Sequence, residues 1–300
     1  MAIQEKQLSF PTPSDKLVFS KGAIAFAKAA VQPLLVPILV LLVWQRMALS
    51  INNPLILPEL KSVLSILVHP TADLLRLGSL IHNISVSLLR IALGYTLAAV
   101  VAIPLGILMG YSSNVRGLFQ GLLAMIRPIP PLAWVPLILA WMGTTSMASV
   151  LNLNEGLGYV WLSNIRLSMV FIIFIGSFFP MFLSTMFGIR NVRRTLIDCA
   201  LTLGASERDL ISKVLLQAAM PNIFSGLRNG MGVAWSSLVA AEMLPGSIAG
   251  LGYLITHAQS FSRIDVVMAG MVTISAVGSL LDLIFRIIDE KKFRWVRLGG

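Results

Sequence analysis

Arginine keeps its charge in any protein environment, so an arginine inside an apolar run calls for a wet pathway, an ion-pair partner or a snorkelling position at the interface. Arg127 stands in such a run, IRPIPPLAWVPL (126–137), beside Pro128, Pro130, Pro131, Pro136 and the indole of Trp134. Each proline removes a backbone donor and strains the preceding turn. At membrane depth the freed carbonyls are tolerated only within protein or along a wet cavity, and broken helices commonly mark solute sites. The segment reads as an interruption for binding, with Arg127, Pro128, Pro130, Pro131, Trp134 and Pro136 as candidate pathway residues; a kinked packing helix is the competing reading. Glu242, near the end of another apolar segment, joins the set, either touching solute or pairing with an arginine of another helix. Arg90 fits snorkelling or packing, and Arg228 fits contact with phospholipid or a neighbouring helix.

Residues for covalent chemistry are missing from the pattern. His69, His82 and His257 are scattered, Cys199 is the single cysteine, and no HExxH, GxSxG or GxxxxGK[ST] motif occurs. These spacings support neither an intramembrane enzyme nor a metal site, and without a phosphate loop the chain is not expected to hydrolyse ATP. One cysteine also excludes an intrachain disulfide.

The elements that must carry these residues are membrane helices. The chain is 56% hydrophobic and 12% charged, where soluble domains carry about 25% charged residues; its mean hydropathy is +0.84. The net charge of +10 does not point to nucleic acid, because the basic residues cluster beside apolar segments, as in cytoplasmic loops. Six apolar segments are expected to span: 33–51, 83–110, 118–143, 168–189, 222–243 and 266–288. The first leads into Trp44-Gln45-Arg46 without a small-residue cleavage site, which favours an uncleaved span over a signal peptide. Fifteen Lys and Arg residues then fall in inner segments against five in outer ones, so both termini are expected inside.

The expected organisation is an all-α integral membrane protein: a cytoplasmic segment 1–32, a first span 33–51 and an outer loop 52–82 with a short interfacial helix. A core at 83–289 and a basic cytoplasmic tail at 290–300 follow. A second outer loop, 144–167, carries Tyr159 and Trp161 and suits a docking or lid segment, or a passive hairpin. Glycines 226, 230 and 232 would give the fifth span a narrow face for close packing.

The inner loop 195–221, TLIDCALTLGASERDLISKVLLQAAMP, reads as two short helices joined by a Gly-Ala-Ser turn. Gly204 suits a helix C-terminus, Ser206 and Asp209 approximate a capping box, and Pro221 fits the first turn of the next span. Leu210, Ile211, Val214 and Leu215 need cover, which a cytoplasmic partner would supply.

Asp198-Cys199-Ala200, three residues, Gly204, nine residues and Val214-x-Leu216 resemble the coupling-loop signature of ABC importer permeases, acidic-Ala-Ala, x3, Gly, x9, Ile-x-Leu-Pro. The departures are Asp198 for Glu, Cys199 for Ala, Val214 for Ile and Gln217 for Pro. SLLRIALGY (87–95), IPLGILMGYSS (103–113), RPIPPLAWVPL (127–137), GLRNGMGVAWSSLVAAEML (226–244) and GLGYLITHAQSF (250–261) resemble the nitrate/sulfonate/taurine/bicarbonate class of these permeases. The resemblance runs in order from about residue 80 to 290; residues 146–167 are an addition to the family pattern.

The resemblance implies a permease fold with one extra N-terminal span before a five-helix core, in a bacterial cytoplasmic (inner) membrane. It implies coupling through Asp198, Ala200, Gly204, Ala205, Ser206, Val214 and Leu216 to cytoplasmic ATP-binding subunits that hold the ATP and Mg; this chain itself is expected to bind no cofactor. A second permease copy and an external solute-binding protein complete the implied assembly, which imports a small polar or anionic solute. A permease of another subgroup, for a metal oxyanion or an organic precursor, is the alternative, and a secondary transporter the weaker one.

Overall fold

The computed structural model describes residues 35–143, 145–153, 155–244 and 246–293. The expected segment 1–32, the first two residues of the first span and residues 294–300 of the tail lie outside the described residues. The chain divides into two compact units, Met1–Ser62 and Val63–Gly300.

The first unit contains helix α1, Leu35–Ile51. Its leucine, valine and isoleucine side chains are exposed almost throughout, as suits a helix whose surrounding is lipid. The Trp44 indole donates to Pro58 O (3.1 Å) and Leu60 N donates to Gln45 Oε1 (3.0 Å), pinning the returning chain to the helix end. Helix α2, Leu60–Val68, follows.

The second unit is built around α3 (Leu80–Tyr111), α8 (Leu167–Arg190), α11 (Leu216–Glu242) and α13 (Ile264–Lys292), with shorter helices between them. Among the described residues, four helices are long and apolar enough to cross a membrane: Leu80–Tyr111, Leu167–Arg190, Glu207–Glu242 and Ile264–Lys292. A fifth crossing exists if α4 (Ser113–Ile126) and the piece Pro131–Met142, bent by 86° at the proline cluster, count as one. The fold is thus all-helical and membrane-spanning among the described residues, and the expected third segment, 118–143, is bent at its proline cluster.

Small residues set how the long helices meet. On α3, Gly94, Ala98, Ala102, Gly106 and Gly110 recur every fourth position and are all buried, forming one narrow stripe. Such stripes let helix backbones approach closely in a bilayer, where hydrophobicity gives no preference between lipid and protein. A Cβ at Gly94 would stand 2.7 Å from Ile173 Cβ, one at Gly106 2.7 Å from Thr185 Cβ, and one at Gly110 2.7 Å from Ile189 Cβ. The contacts advance together along both chains, so α3 and α8 run parallel. On the other side of α8, Gly226 faces Ser184 and Gly230 faces Met181, so α11 runs antiparallel. Gly232, grouped with these two by sequence, has open space around it; two residues beyond Gly230, it points away from α8.

Pro221 does not open a span. The second loop helix continues without interruption into the fifth span, Glu207–Glu242, through a π segment at Leu210–Leu215. A π turn bonds residue i to i+5, which stacks Leu215 over Leu210 on one buried face.

Gly106→Val is expected to lower the monodisperse yield and the thermal midpoint of the detergent-purified chain, measured by size-exclusion chromatography with fluorescence detection. Gly117→Ala, where the added methyl meets nothing within 4 Å, is expected to match the parent or gain about 0.5–1 kcal/mol of helix propensity.

Candidate functional site

Between α4 and the rest of the unit the chain turns at Arg127–Pro130. Arg127 caps α4 and its N–H donates to Leu123 O (3.0 Å). Pro131 opens a 3-10 turn, Pro131–Trp134, and Pro136 lies in the first turn of α5 (Val135–Met142). Both occupy positions whose N–H would have no helical partner, so these two prolines begin helical pieces and the break itself is Arg127–Pro130. The turn is held from one side: the Gly176 gap on α8 is filled by Ser237 Oγ and by Pro131 Cγ at 3.6 Å from a built Cβ. Pro131 and Trp134 are half-buried, while Pro128, Pro130 and Pro136 are exposed on the single chain. Trp134 Nε1 is buried and has no hydrogen-bond partner among the described residues.

Arg127 lines a cavity of about 290 Å³ between α4 and α8. Arg116, Gln120 and Arg190 share its lining, with Phe182 and Met186 in the apolar wall. Sequence reasoning left Arg116 and Arg190 among the topology-setting loop charges. Their positions at the start of α4 and the end of α8 bring them to Arg127 only once the two helices lie side by side.

The loop 195–221 has the expected two helices, with one correction to its faces. Helix α9, Arg194–Thr202, ends at Gly204, whose φ of +81° is in the left-handed region. Gly204 N donates to Leu201 O (2.9 Å) and Ala205 N to Ala200 O (3.0 Å), satisfying carbonyls at the helix end. Ser206 then accepts from Asp209 N, starting helix α10 (Glu207–Asp209). Leu210 and Leu215, expected to need a partner, are 5% and 3% exposed because Ile189, Ala219 and Ile223 of this chain cover them, with Val214 and Leu216 packed alongside. The uncovered residues are on the first helix and the turn: Leu196, Leu201 and Leu203, the last 87% exposed. Asp198, Gly204 and Ser206 are exposed beside them, and Ala200 and Ala205 are half-buried.

The family model for the binding-protein-dependent transport system inner membrane component matches residues 102–294. The chain belongs to that family. A Methanocaldococcus jannaschii protein named as an ABC transporter permease is 47% identical over 271 residues, covering 90% of this chain and 94% of that one. A Bacillus subtilis protein named for aliphatic sulfonates transport is 33% identical, covering 87% of this chain and 86% of its own length. The taurine transport system permease protein of Escherichia coli is also 33% identical, at 84% of each chain. The chain is a multi-pass membrane protein and the permease subunit of a binding-protein-dependent ABC importer.

The permease's one fully buried ion pair among the described residues lies away from the cavity. Glu242, grouped by sequence with the pathway, is 1% exposed, and Arg90 of α3 is 0% exposed. Glu242 Oε1 accepts from Arg90 Nη1 (2.7 Å) and Ser87 Oγ (2.8 Å), and Oε2 accepts from Gly252 N (3.0 Å). Arg90 also donates through Nη1 to Ala249 O (2.8 Å) and through Nη2 to Asn164 O (2.6 Å). Gly250 N donates to Asn83 Oδ1 (2.8 Å) and Leu251 N to Ser87 Oγ (3.1 Å). The first N–H groups of α12, Leu251–Ser260, thus find acceptors, and its positive end faces the carboxylate. Of the two readings of Glu242, the helix-pairing one matches this geometry, and both its oxygens are occupied by protein donors. Arg90 is neither snorkelling nor merely packed.

Gly250 has φ +121°, and a Cβ there would collide with the Glu242 carboxylate. Asn83, Ser87, Gly250 and Gly252 escaped sequence reasoning as site residues, although two of the quoted motifs contain Ser87, Gly250 and Gly252. Arg228 finds a neighbouring helix, bridging to Asp282 of α13 through Nε–Oδ1 (2.7 Å) and Nη2–Oδ2 (2.9 Å).

Removing one partner of a buried ion pair leaves the other charge uncompensated, at about 3–5 kcal/mol. Arg90→Met and Glu242→Leu are each expected to lower the thermal midpoint sharply. The double variant is expected to lose less than the sum, as a double-mutant cycle on the purified permease would measure.

Proposed function

We propose that the permease crosses the membrane six times with both termini inside, pairs with a second copy, and moves a small polar or anionic solute inward past the broken segment 126–137. The observation that carries this reading is the 86° bend between α4 and the following piece inside an apolar run that contains Arg127. A charge at bilayer depth costs ~2.5–3.5 kcal/mol on insertion scales unless it meets protein or water. The three-to-one excess of basic residues in the inner segments supports the orientation. The exposed apolar residues of α4, Leu118, Leu122 and Met125, support a partner surface. The relatives named for sulfonates and taurine support a solute of that class.

In this reading cytoplasmic ATP-binding subunits dock on α9 and its turn, where Leu196, Leu201 and Leu203 await cover and Asp198 and Ser206 supply polar contacts. ATP and Mg belong to those subunits, and an external solute-binding protein delivers the solute.

Gly204→Val forces a β-branched residue into a left-handed turn, at about 1–2 kcal/mol or more, and Asp198→Lys reverses a docking charge. Both variants are expected to insert normally, lose most co-purifying ATPase and cut sulfonate or taurine uptake by roughly tenfold, a coupling change of ~1.4 kcal/mol. Normal uptake with normal ATPase co-purification in both would overturn the docking assignment.

A further inference from the structure

The cavity between α4 and α8 concentrates positive charge without an acid to answer it. Arg116, Gln120 and Arg127 lie on one face of α4, and Arg190 closes the opposite wall, with no carboxylate in the lining. Eleven residues separate Arg116 from Arg127, ~16 Å along the helix. Elsewhere in the described residues Arg90, Arg228, Arg263 and Arg286 each pair with a carboxylate. In the cavity, Arg116 donates to Met109 O (3.2 Å), and no hydrogen bond or ion pair engages the guanidinium of Arg127 or Arg190 among the described residues. Arg190 sits in the last turn of α8, where a cation offsets the helix dipole. That accounts for one of the three charges and leaves Arg116 and Arg127 on the same groove.

Phe182 and Met186 wall the groove with apolar surface, which lowers the local dielectric and strengthens the field of the arginines. Guanidinium groups bind oxyanions through paired N–H donors. We propose that this groove is an oxyanion site: Arg127 receives a small sulfonate- or nitrate-like anion beside the broken segment, and Arg116 with Arg190 holds it at the far mouth. The proposal deepens the pathway reading and rests on it for the direction of travel.

Gln120→Cys in a Cys199→Ser background tests it, using full-length permease with its ATPase subunits in phosphatidylcholine nanodiscs. Sulfonate-bearing and trimethylammonium-bearing methanethiosulfonates are applied, and their rate ratio is normalised to free cysteine. The anionic reagent is expected to be favoured by about tenfold or more, with the preference lost when Arg127→Gln and Arg190→Gln are combined. Protection by methanesulfonate or nitrate assigns the site to a free anion. Protection by added phosphatidylglycerol alone assigns the same oxyanion chemistry to a lipid phosphate. A ratio equal to that of free cysteine, indifference to the arginine changes, or no modification by either reagent overturns the proposal. Sulfonate uptake after complete modification separates the two readings. Blocked uptake without charge preference removes the oxyanion site and keeps the pathway; full uptake with strong preference keeps the site and removes the pathway.

Discussion

Everything in the second unit depends on how closely α3 and α11 approach α8. Lipid competes with protein on equal terms for an apolar helix face, so helices stay together through close packing and hydrogen bonds. The α3 stripe from Gly94 to Gly110 and the α11 positions Gly226 and Gly230 bring backbone against the sides of α8. Two faces of α8 are then spent, and the helix is the most buried of the candidate spans. Little of α8 remains for the segment between α3 and α8. It touches α8 through the Pro131–Trp134 turn near Gly176 and through Val135 of α5, which packs with Ile172. None of the residues of α4 is buried. Val115 and Leu123 of α4 still pack against the cluster that holds Phe182 and Met186, and the groove with Arg127 lies beside that partial contact.

The polar knot at Glu242 fixes the opposite requirement, that one charge pair be fully enclosed. Ser87 and Arg90 stand more than 150 residues from Glu242 in the chain, and Gly250 to Gly252 follow Glu242 closely. Three motifs that resemble the family separately are parts of a single site in space. The short helix α12 could not present its N-terminus to the carboxylate with side chains at Gly250 and Gly252, since a Cβ at Gly252 would strike Val239 O. Asn164, at the close of the hairpin that precedes α8, completes Arg90's hydrogen bonding. The hairpin is itself tied at its base by Met147 N to Ile165 O (2.8 Å) and Leu167 N to Thr145 O (3.1 Å).

Much of this was legible in the residues. The expected segment 168–189 became Leu167–Arg190, because an uninterrupted apolar run has one way to satisfy its backbone in lipid. The proline cluster announced the break, and Gly204 announced the turn. What stayed hidden were facts of partnership. Pro221 looked like a boundary, yet a proline tolerated inside a long helix leaves no sequence mark that distinguishes it from a first-turn proline. Leu210 and Leu215 looked uncovered because part of their cover, Ile189, lies on α8, and the rest, Ile223, comes from the same helix only because it continues past Pro221. Glu242 suited pairing with an arginine of another helix or solute contact, and the approach of α3 to α11 decides between them. Arg116 and Arg190 counted as loop charges because topology reasoning sorts residues by side of the membrane and ignores which of them face one another.

The continuity of Glu207–Glu242 changes how a push on the α9 turn is transmitted. A 36-residue helix is ~54 Å long, and its two ends carry the two constraints already described, the turn at Gly204 and the knot at Glu242. Between them, Gly226 and Gly230 lock it to α8, and Arg228 ties it to Asp282 of α13. Sliding along α8 would drive Ser184 and Met181 out of gaps sized for glycine, so displacement of the turn must carry α8, α11 and α13 together. The compliant elements left are the π segment Leu210–Leu215, where the hydrogen-bond register is already irregular, and the bend at Arg127–Pro130, held on the α4 side by Arg127 N to Leu123 O (3.0 Å) and Ile129 N to Ile126 O (3.1 Å). Under the proposed coupling these three helices move with α3, which is packed on α8 through Gly94, Gly106 and Gly110, and the groove lined by Arg127 and Arg190 lies along the boundary of that block with α4.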